Sequence, residues 1–221
     1  MNTEHHHFAR AGIHLTLVAL ATGLVLVSPR VFAGEGYIGF GAGRSDATNI
    51  GDDAKQFCAD AGLTCTSKNS DKAYKAFVGY KFNPYIGIEG GYVDLGGISA
   101  SAPAASGSPK LSATVKGYTL SVVPEIPISH SVSVFAKAGA FVWNAKLKAT
   151  SDAFGLKATT SDSSAGVAVG AGAAINMNDQ SALRIEWERY SLDEKFSNNT
   201  KSLQSNNDID LISASLLFRF K

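Results

Sequence analysis

The sequence predicts an all-β fold, namely an eight-stranded antiparallel up-and-down transmembrane β-barrel. Eight segments alternate between apolar and polar residues with the period of two that is typical of strands. Long polar connections alternate with tight turns, which indicates a meander whose two ends face different environments. Over the central part of each segment one face carries no charged residue, 36 positions in all, although charged residues make up 18% of the chain.

The composition excludes several other classes of protein. The chain has 221 residues, 45% of them hydrophobic, and a formal net charge of +1. This near-neutral balance lacks the basic footprint of a nucleic-acid-binding protein, so we expect no nucleic-acid partner. No run after residue 33 approaches the ~18 consecutive apolar residues that indicate a membrane-spanning helix.

The chain begins with a predicted secretory signal peptide, residues 1–33. A polar start leads into the apolar run 13–27, and Val31 and Ala33 occupy the small-residue positions of a cleavage site. The alternative is a membrane anchor, but the apolar run is shorter than the ~20 residues that a spanning helix needs. We therefore expect residues 34–221 to form the mature barrel domain.

Cys58 and Cys65 lie close together in the polar stretch that follows the first predicted strand. In an exported chain such a pair favours a local disulfide over a metal site or a catalytic nucleophile. We expect no bound metal and no cofactor.

The eight predicted strands fill most of the remaining chain. They cover residues 36–44, 73–83, 85–96, 115–126, 132–147, 164–176, 181–191 and 208–220. Long polar loops are predicted at residues 45–72, 97–114, 148–163 and 192–207. Tight turns are predicted at Asn83–Pro84, Pro127–Ser131 and Asn176–Gln180.

The first five strands divide their residues between two faces. The uncharged face is rich in large apolar residues, among them Ile38, Tyr74, Val78, Tyr80, Phe82, Ile86, Ile88, Tyr92, Leu120 and Val134. The opposite face carries the charged residues Lys75, Lys81, Glu89, Glu125 and Lys137.

The sixth strand indicates which face points outward. One face consists of Val167, Val169, Ala171, Ala173 and Ile175, and the other consists of Gly166, Ala168, Gly170, Gly172 and Ala174. In a soluble barrel the first face would point inside, and the second face, which has no polar side chains, would be exposed to water and promote aggregation. With the apolar face in lipid, both faces are explained, and a closed barrel also pairs every backbone group.

The last two strands complete the pattern. Leu183 and Trp187 lie on the uncharged face of the seventh strand, and its other face carries Arg184, Glu186 and Glu188. In the final strand Leu216, Phe218 and Phe220 form an aromatic-ended lipid face, and Arg219 lies opposite. This ending resembles the terminal signal read by the barrel assembly machinery, which we expect as a partner.

Four segments resemble a known family. The stretch Phe77–Gly96, FVGYKFNPYIGIEGGYVDLG, resembles the second hairpin of the outer membrane protein A-like transmembrane domain. The segments Tyr37–Gly43, Arg184–Trp187 and Leu217–Phe220 resemble the same family. The resemblance covers the mature chain and implies a barrel in the outer membrane of a Gram-negative bacterium, with both termini in the periplasm.

The resemblance also implies a charged cluster in the lumen. Glu89 and Arg184 match the family's central carboxylate and its arginine partner, and Lys137 and Glu186 match further inward charges. Where the family has an alternative lysine partner and a second carboxylate, this chain has Val123 and Ala174. Two of the charged residues that would exchange salt-bridge partners to open a pore are therefore missing from this chain. The other inward charges expected from the alternation are Lys75, Glu125, Glu188 and Arg219.

These observations predict a monomeric barrel with a structural or surface-interaction role, its lumen largely filled by side chains. A narrow porin-like channel for ions or small solutes is the alternative. A lipid-modifying enzyme is disfavoured, because His130 is the only histidine after residue 33 and falls in a turn; we expect no catalytic residues. The expected partners are outer-membrane lipid, lipopolysaccharide, and host or phage molecules that contact the loops.

Overall fold

A computed structural model describes residues 34–47, 66–68, 70–101, 110–151, 156–192 and 208–220. The predicted signal peptide and the cysteine pair Cys58 and Cys65 lie outside these ranges. No helix among the described residues is long and apolar enough to cross a membrane.

The described residues form nine strands, of which eight are long. They are β1 (Glu35–Asp46), β2 (Thr66–Lys68), β3 (Ser70–Asn83), β4 (Ile86–Ser101), β5 (Lys110–Pro127), β6 (Val132–Ser151), β7 (Leu156–Asn176), β8 (Ser181–Ser191) and β9 (Asp208–Phe220). The short strand β2 pairs only with the far end of β4, where Thr66 lies opposite Ser101.

The eight long strands close into an antiparallel barrel. Each pairs with its neighbours in the chain, and β1 pairs with β9, with Tyr37 opposite Arg219 and Ala42 opposite Ala214. A closed sheet leaves no unpaired edge within a bilayer, which is the condition for a strand to cross it. The predicted eight-stranded up-and-down topology is confirmed.

Three tight turns lie at one end of the barrel, which we call the turn end. Side-chain oxygens stabilise each turn by accepting backbone hydrogen bonds. The Asn83 Oδ1 atom accepts from the Ile86 N–H at 3.0 Å, and Asn178 Oδ1 accepts from the Ser181 N–H at 2.7 Å. The longer connections lie at the opposite end, which we call the loop end.

The two faces of the wall are oriented as expected. On the outer face Phe40 is 54% exposed, Leu120 is 61% exposed and Phe218 is 49% exposed. The charged residues of the opposite face, such as Glu89 and Arg184, are buried. The apolar face therefore contacts lipid, and the charges lie in the lumen.

Several strands are longer than the sequence pattern predicts. Strand β5 starts at Lys110, β6 continues to Ser151, and β7 starts at Leu156. The prediction of long loops at 97–114 and 148–163 is therefore wrong for most of these residues. The pattern fails there because the outward face beyond the lipid no longer has to be apolar, while backbone pairing between the strands continues.

Candidate functional site in the barrel lumen

Six charged side chains meet in the lumen and form what we call the charge network. They are Lys75 of β3, Glu89 of β4, Lys137 of β6, and Arg184, Glu186 and Glu188 of β8. Each has only 2–8% of its surface exposed. Three cations balance three carboxylates, so the network has no net formal charge.

Glu89 is bound on both carboxylate oxygens. The Arg184 guanidinium donates to Oε2 at 2.7 Å, and the Lys137 ammonium donates to Oε1 at 2.5 Å. The Tyr37 hydroxyl also donates to Oε2, at 3.1 Å. Tyr37 was not predicted as part of this site, although it is buried on the lumen face of β1.

The two carboxylates of β8 share the same cations. Lys75 Nζ lies 2.7 Å from Glu186 Oε1 and 2.5 Å from Glu188 Oε2. Lys137 Nζ lies 2.8 Å from Glu188 Oε1, and Arg184 Nη2 lies 3.2 Å from Glu186 Oε2. Every charge in the network thus has at least two partners, as buried charges require.

Aromatic rings pack against the cations of the network. The Phe77 centroid lies 5.3 Å from Lys75 Nζ and 4.9 Å from Arg184 Cζ. The Phe135 centroid lies 4.1 Å from Arg184 Cζ. Ring faces attract cations, so these contacts add to the ion pairs.

The small residues of β7 provide the space that the long side chains fill. Gly170 lies opposite both Lys137 and Glu188, and Gly172 lies opposite Glu186. A Cβ atom at Gly172 would lie 2.6 Å from Cζ of Phe135 and 2.8 Å from Cβ of Glu186. Glycine at this position of β7 is therefore required by the packing of side chains from the two flanking strands, β6 and β8.

The other three charges predicted on the inward face, Lys81, Glu125 and Arg219, lie nearer the turn end. Glu125 pairs with Lys81 at 2.6 Å. Arg219 donates to the Asn176 side-chain oxygen at 2.6 Å and lies 3.9 Å from Glu35. The structure therefore brings together six of the nine charges predicted on the inward face and places Lys81, Glu125 and Arg219 outside the network.

Buried apolar side chains fill the lumen between the charge network and the loop end. This apolar collar comes from strands β3 to β9 and from the residue after β1, and it consists of Ala47, Ala73, Val93, Leu95, Val115, Phe141, Trp143, Ala168, Tyr190, Ile209 and Leu211. Phe141 is fully buried and its ring lies 4.8 Å from that of Tyr190. Sequence reasoning missed the collar, because it assigned only small or charged residues to the lumen.

On the turn-end side the lumen is also packed. Tyr37, Phe77, Ala182 and Leu217 form a second buried cluster. A cavity of about 10 Å³ lies beside it, and a space of this size holds about one water molecule.

A comparison with protein families identifies this architecture. The family model of the OmpA-like transmembrane domain matches residues 33–221. The chain belongs to this family. The predicted resemblance is confirmed, and the chain is an outer-membrane β-barrel of the OmpA-like type.

Two characterised relatives carry the same kind of barrel sequence. Outer membrane protein A of Shigella dysenteriae is 28% identical over 113 residues, which cover 51% of this chain and 31% of the relative. Outer membrane protein A of Klebsiella pneumoniae is 26% identical over 122 residues, which cover 55% of this chain and 34% of the relative. The matches thus span about a third of each relative's length.

Solved structures of outer-membrane proteins are similar to this chain. The outer membrane protein OprG from Pseudomonas aeruginosa has a TM-score of 0.54 at 17% identity, over 86% of this chain and 97% of that chain. Ail, the attachment invasion locus protein of Yersinia pestis, has a TM-score of 0.48 at 17% identity, over 85% of this chain and 99% of that chain. The likeness to OprG shows a shared barrel fold.

At the loop end of this OmpA-like barrel, Asp71 joins neighbouring strands. Its Oδ2 atom accepts a hydrogen bond from the Gly97 N–H at 2.9 Å, and its Oδ1 atom pairs with Lys68 at 3.1 Å. The Gly97 amide, together with Lys68, lowers the pKa of Asp71 below its ordinary value. The interaction joins β3 to β4 beyond the lipid-facing region.

The remaining predicted residues lie outside the lumen. Leu216, Phe218 and Phe220 are 46–55% exposed on the outer face of β9, where an assembly signal would be accessible. Among the described residues, no group of three or more His, Cys, Asp or Glu side chains could hold a metal ion.

Proposed function

We propose that this chain, after cleavage near Ala33, is a monomeric barrel of the Gram-negative outer membrane with a structural or surface-interaction role and no open pore. The apolar collar carries this proposal. Phe141 is fully buried, and Tyr190 and Leu211 are each 1% exposed. Apolar constrictions exclude water and thereby block ions.

The charge network supports the same function. A channel that selects ions uses unpaired charges or carbonyl oxygens along its path. Here Glu89, Glu186 and Glu188 are each paired with two or more cations. An entering ion would have to break these pairs, and it would still meet the collar.

The test is single-channel recording on the refolded protein in planar bilayers. We expect no reproducible conductance steps from the wild-type barrel. Steps that recur and change size in Glu89→Ala or Arg184→Ala would overturn the proposal and establish the narrow channel instead. Heat-modifiable mobility on unboiled gels shows that the recorded protein is a closed barrel.

The role does not require catalysis. His130 is the histidine that the sequence offers as a candidate catalytic base. It is exposed in a turn, where its backbone carbonyl oxygen accepts a hydrogen bond from the Asn176 side-chain amide at 3.3 Å. The loops remain the proposed contact points for host or phage molecules, and the β9 ending remains the proposed contact for the barrel assembly machinery.

A further inference from the structure

The wall of the barrel rises beyond the lipid on one side, where β5, β6 and β7 remain paired. The last lipid-facing residues there are Tyr118 of β5 and Val142 of β6, which lie opposite each other. Pairing nevertheless continues to Lys110 opposite Thr150, and to Thr150 opposite Lys157. This region, which also includes the far end of β4 paired with β5 and the short strand β2, projects several residues past the apolar surface.

The outer face of this projection is basic. Lys110, Lys146, Lys148 and Lys157 continue the outward-facing parity of their strands, and all four are exposed. We call these four residues the basic face. Its inward-facing neighbours are apolar, with Leu111 42% exposed and Leu147 39% exposed. The distribution of polar and apolar residues is therefore opposite to that within the membrane.

The lysines are close enough to act together. Lys148 lies diagonally across from Lys110 on one side and from Lys157 on the other, and diagonal neighbours in a sheet are ~7–8 Å apart. Lys146 precedes Lys148 on the same face of β6. Like charges at this spacing repel each other, so an anion bound between them would be stabilising.

Within the described part of the chain, no carboxylate neutralises the basic face. Lys116, the next cation toward the lipid, differs because it pairs with Asp94 at 2.6 Å. No ion pair joins any of the four lysines to a described Asp or Glu. Ser112 and Thr159 flank Lys148 and provide hydroxyl donors beside the ammonium groups.

The height of the basic face indicates which anion it meets. Lys146 follows Val142 by four residues, which at ~3.4 Å per residue and a strand tilt of ~40° places it ~10 Å above Val142, and Lys148 lies ~5 Å higher. Lys146 and Lys148 are therefore the members of the basic face nearest to the headgroup layer. Headgroups occupy the ~5–8 Å next to the hydrocarbon core on each side. Lysine side chains can also bend toward that layer.

From this placement we infer that the basic face binds the phosphate groups of lipopolysaccharide in the surrounding outer leaflet. The inference rests on the proposed outer-membrane location.

The test measures the affinity of the detergent-refolded barrel for purified diphosphorylated Kdo2-lipid A. We expect the double substitution Lys146→Gln/Lys148→Gln to weaken binding roughly 20-fold. The reason is that each lysine near an anionic headgroup surface strengthens binding about fivefold. The matched control is Lys146→Arg/Lys148→Arg, which keeps both positive charges at the same two positions of β6. We expect this control to change binding less than threefold.

Two further measurements test whether the lipid phosphates are responsible for the binding. Dephosphorylated lipid A should bind wild type and Lys146→Gln/Lys148→Gln equally, and added salt should weaken wild-type binding. Equal losses in both double variants, or no loss in either, would overturn the inference. Heat-modifiable mobility of each variant and the bilayer recordings test the barrel and its closed lumen independently.

Discussion

At the scale of single residues, the lumen depends on complete pairing of its buried charges. Glu89 has 3% of its surface exposed and binds both Lys137 and Arg184. A charge deprived of its partner in such surroundings cannot regain the solvation that it lost on folding. The contribution of the network is therefore clearest when one member is removed.

We expect Glu89→Ala to lower the free energy of unfolding by about 3–5 kcal/mol, because it leaves buried cations with fewer partners. Equilibrium urea unfolding of the barrel in lipid vesicles, followed by tryptophan fluorescence, measures this change. The matched control is Lys116→Ala at the loop end, which breaks the exposed pair with Asp94. That pair should contribute below about 1 kcal/mol, and equal losses in the two variants would contradict the prediction.

The sequence predicted which residues enter the lumen but not which residues meet. Alternation alone placed Lys75, Glu89 and Glu188 inside. The contact between Lys75 and Glu188 joins positions 113 residues apart, and the Tyr37 bond to Glu89 spans 52 residues. Such pairs depend on how far neighbouring strands are shifted along each other, and local periodicity carries no information on that shift.

At the scale of strands, the described wall extends unevenly beyond the lipid. Polar interactions between strands join this part of the barrel, and Asp71 is one example. It links β3 to the backbone of Gly97 in β4. Gly97 follows Gly96, whose φ of 74° suits glycine, and the pairing of β4 with β5 is irregular between Asp94 and Gly97. Asp71 thus holds β4 at its irregular point.

Asp71 predicts an acid-sensitive contribution to stability. Its folded pKa is lowered, because the ionised carboxylate accepts the Gly97 amide and contacts Lys68. The contribution is therefore present above the unfolded aspartate pKa of about 4 and is lost as the pH falls through the folded pKa. We expect Asp71→Asn to destabilise the barrel at pH 7 and to have a smaller effect at pH 3.

The measurement is the difference in urea midpoint between wild type and Asp71→Asn at the two pH values. Subtracting the variant removes the effects of the other carboxylates. A difference that stays constant between pH 7 and pH 3 would show that the Asp71 charge does not stabilise the link to Gly97.

At the scale of the whole molecule, the lumen consists of layers in series. A buried cluster around Tyr37 and Leu217 lies nearest the turns, the charge network follows, and the apolar collar lies toward the loop end. Each layer alone narrows the lumen, but only the collar closes it with side chains that cannot bind an ion.

We expect the collar substitution Phe141→Ala to destabilise the barrel by about 3–5 kcal/mol and to produce conductance steps that wild type lacks. The cause is the loss of a fully buried ring that contacts Tyr190. The control is Leu120→Ala on the lipid face, where Leu120 is 61% exposed. Like wild type, this variant should show no conductance steps. A folded Phe141→Ala barrel that shows no conductance steps would indicate that another layer of the lumen blocks ions.

The sequence by itself determined the eight-stranded barrel, the direction of its faces and the identity of its inward charges, because lipid and lumen impose a period of two on every strand that crosses the membrane. Only the tertiary structure decided the partners within the charge network, the apolar collar and the basic face beyond the lipid. These features depend on the shift between strands and on pairing that continues where no lipid enforces an alternating pattern.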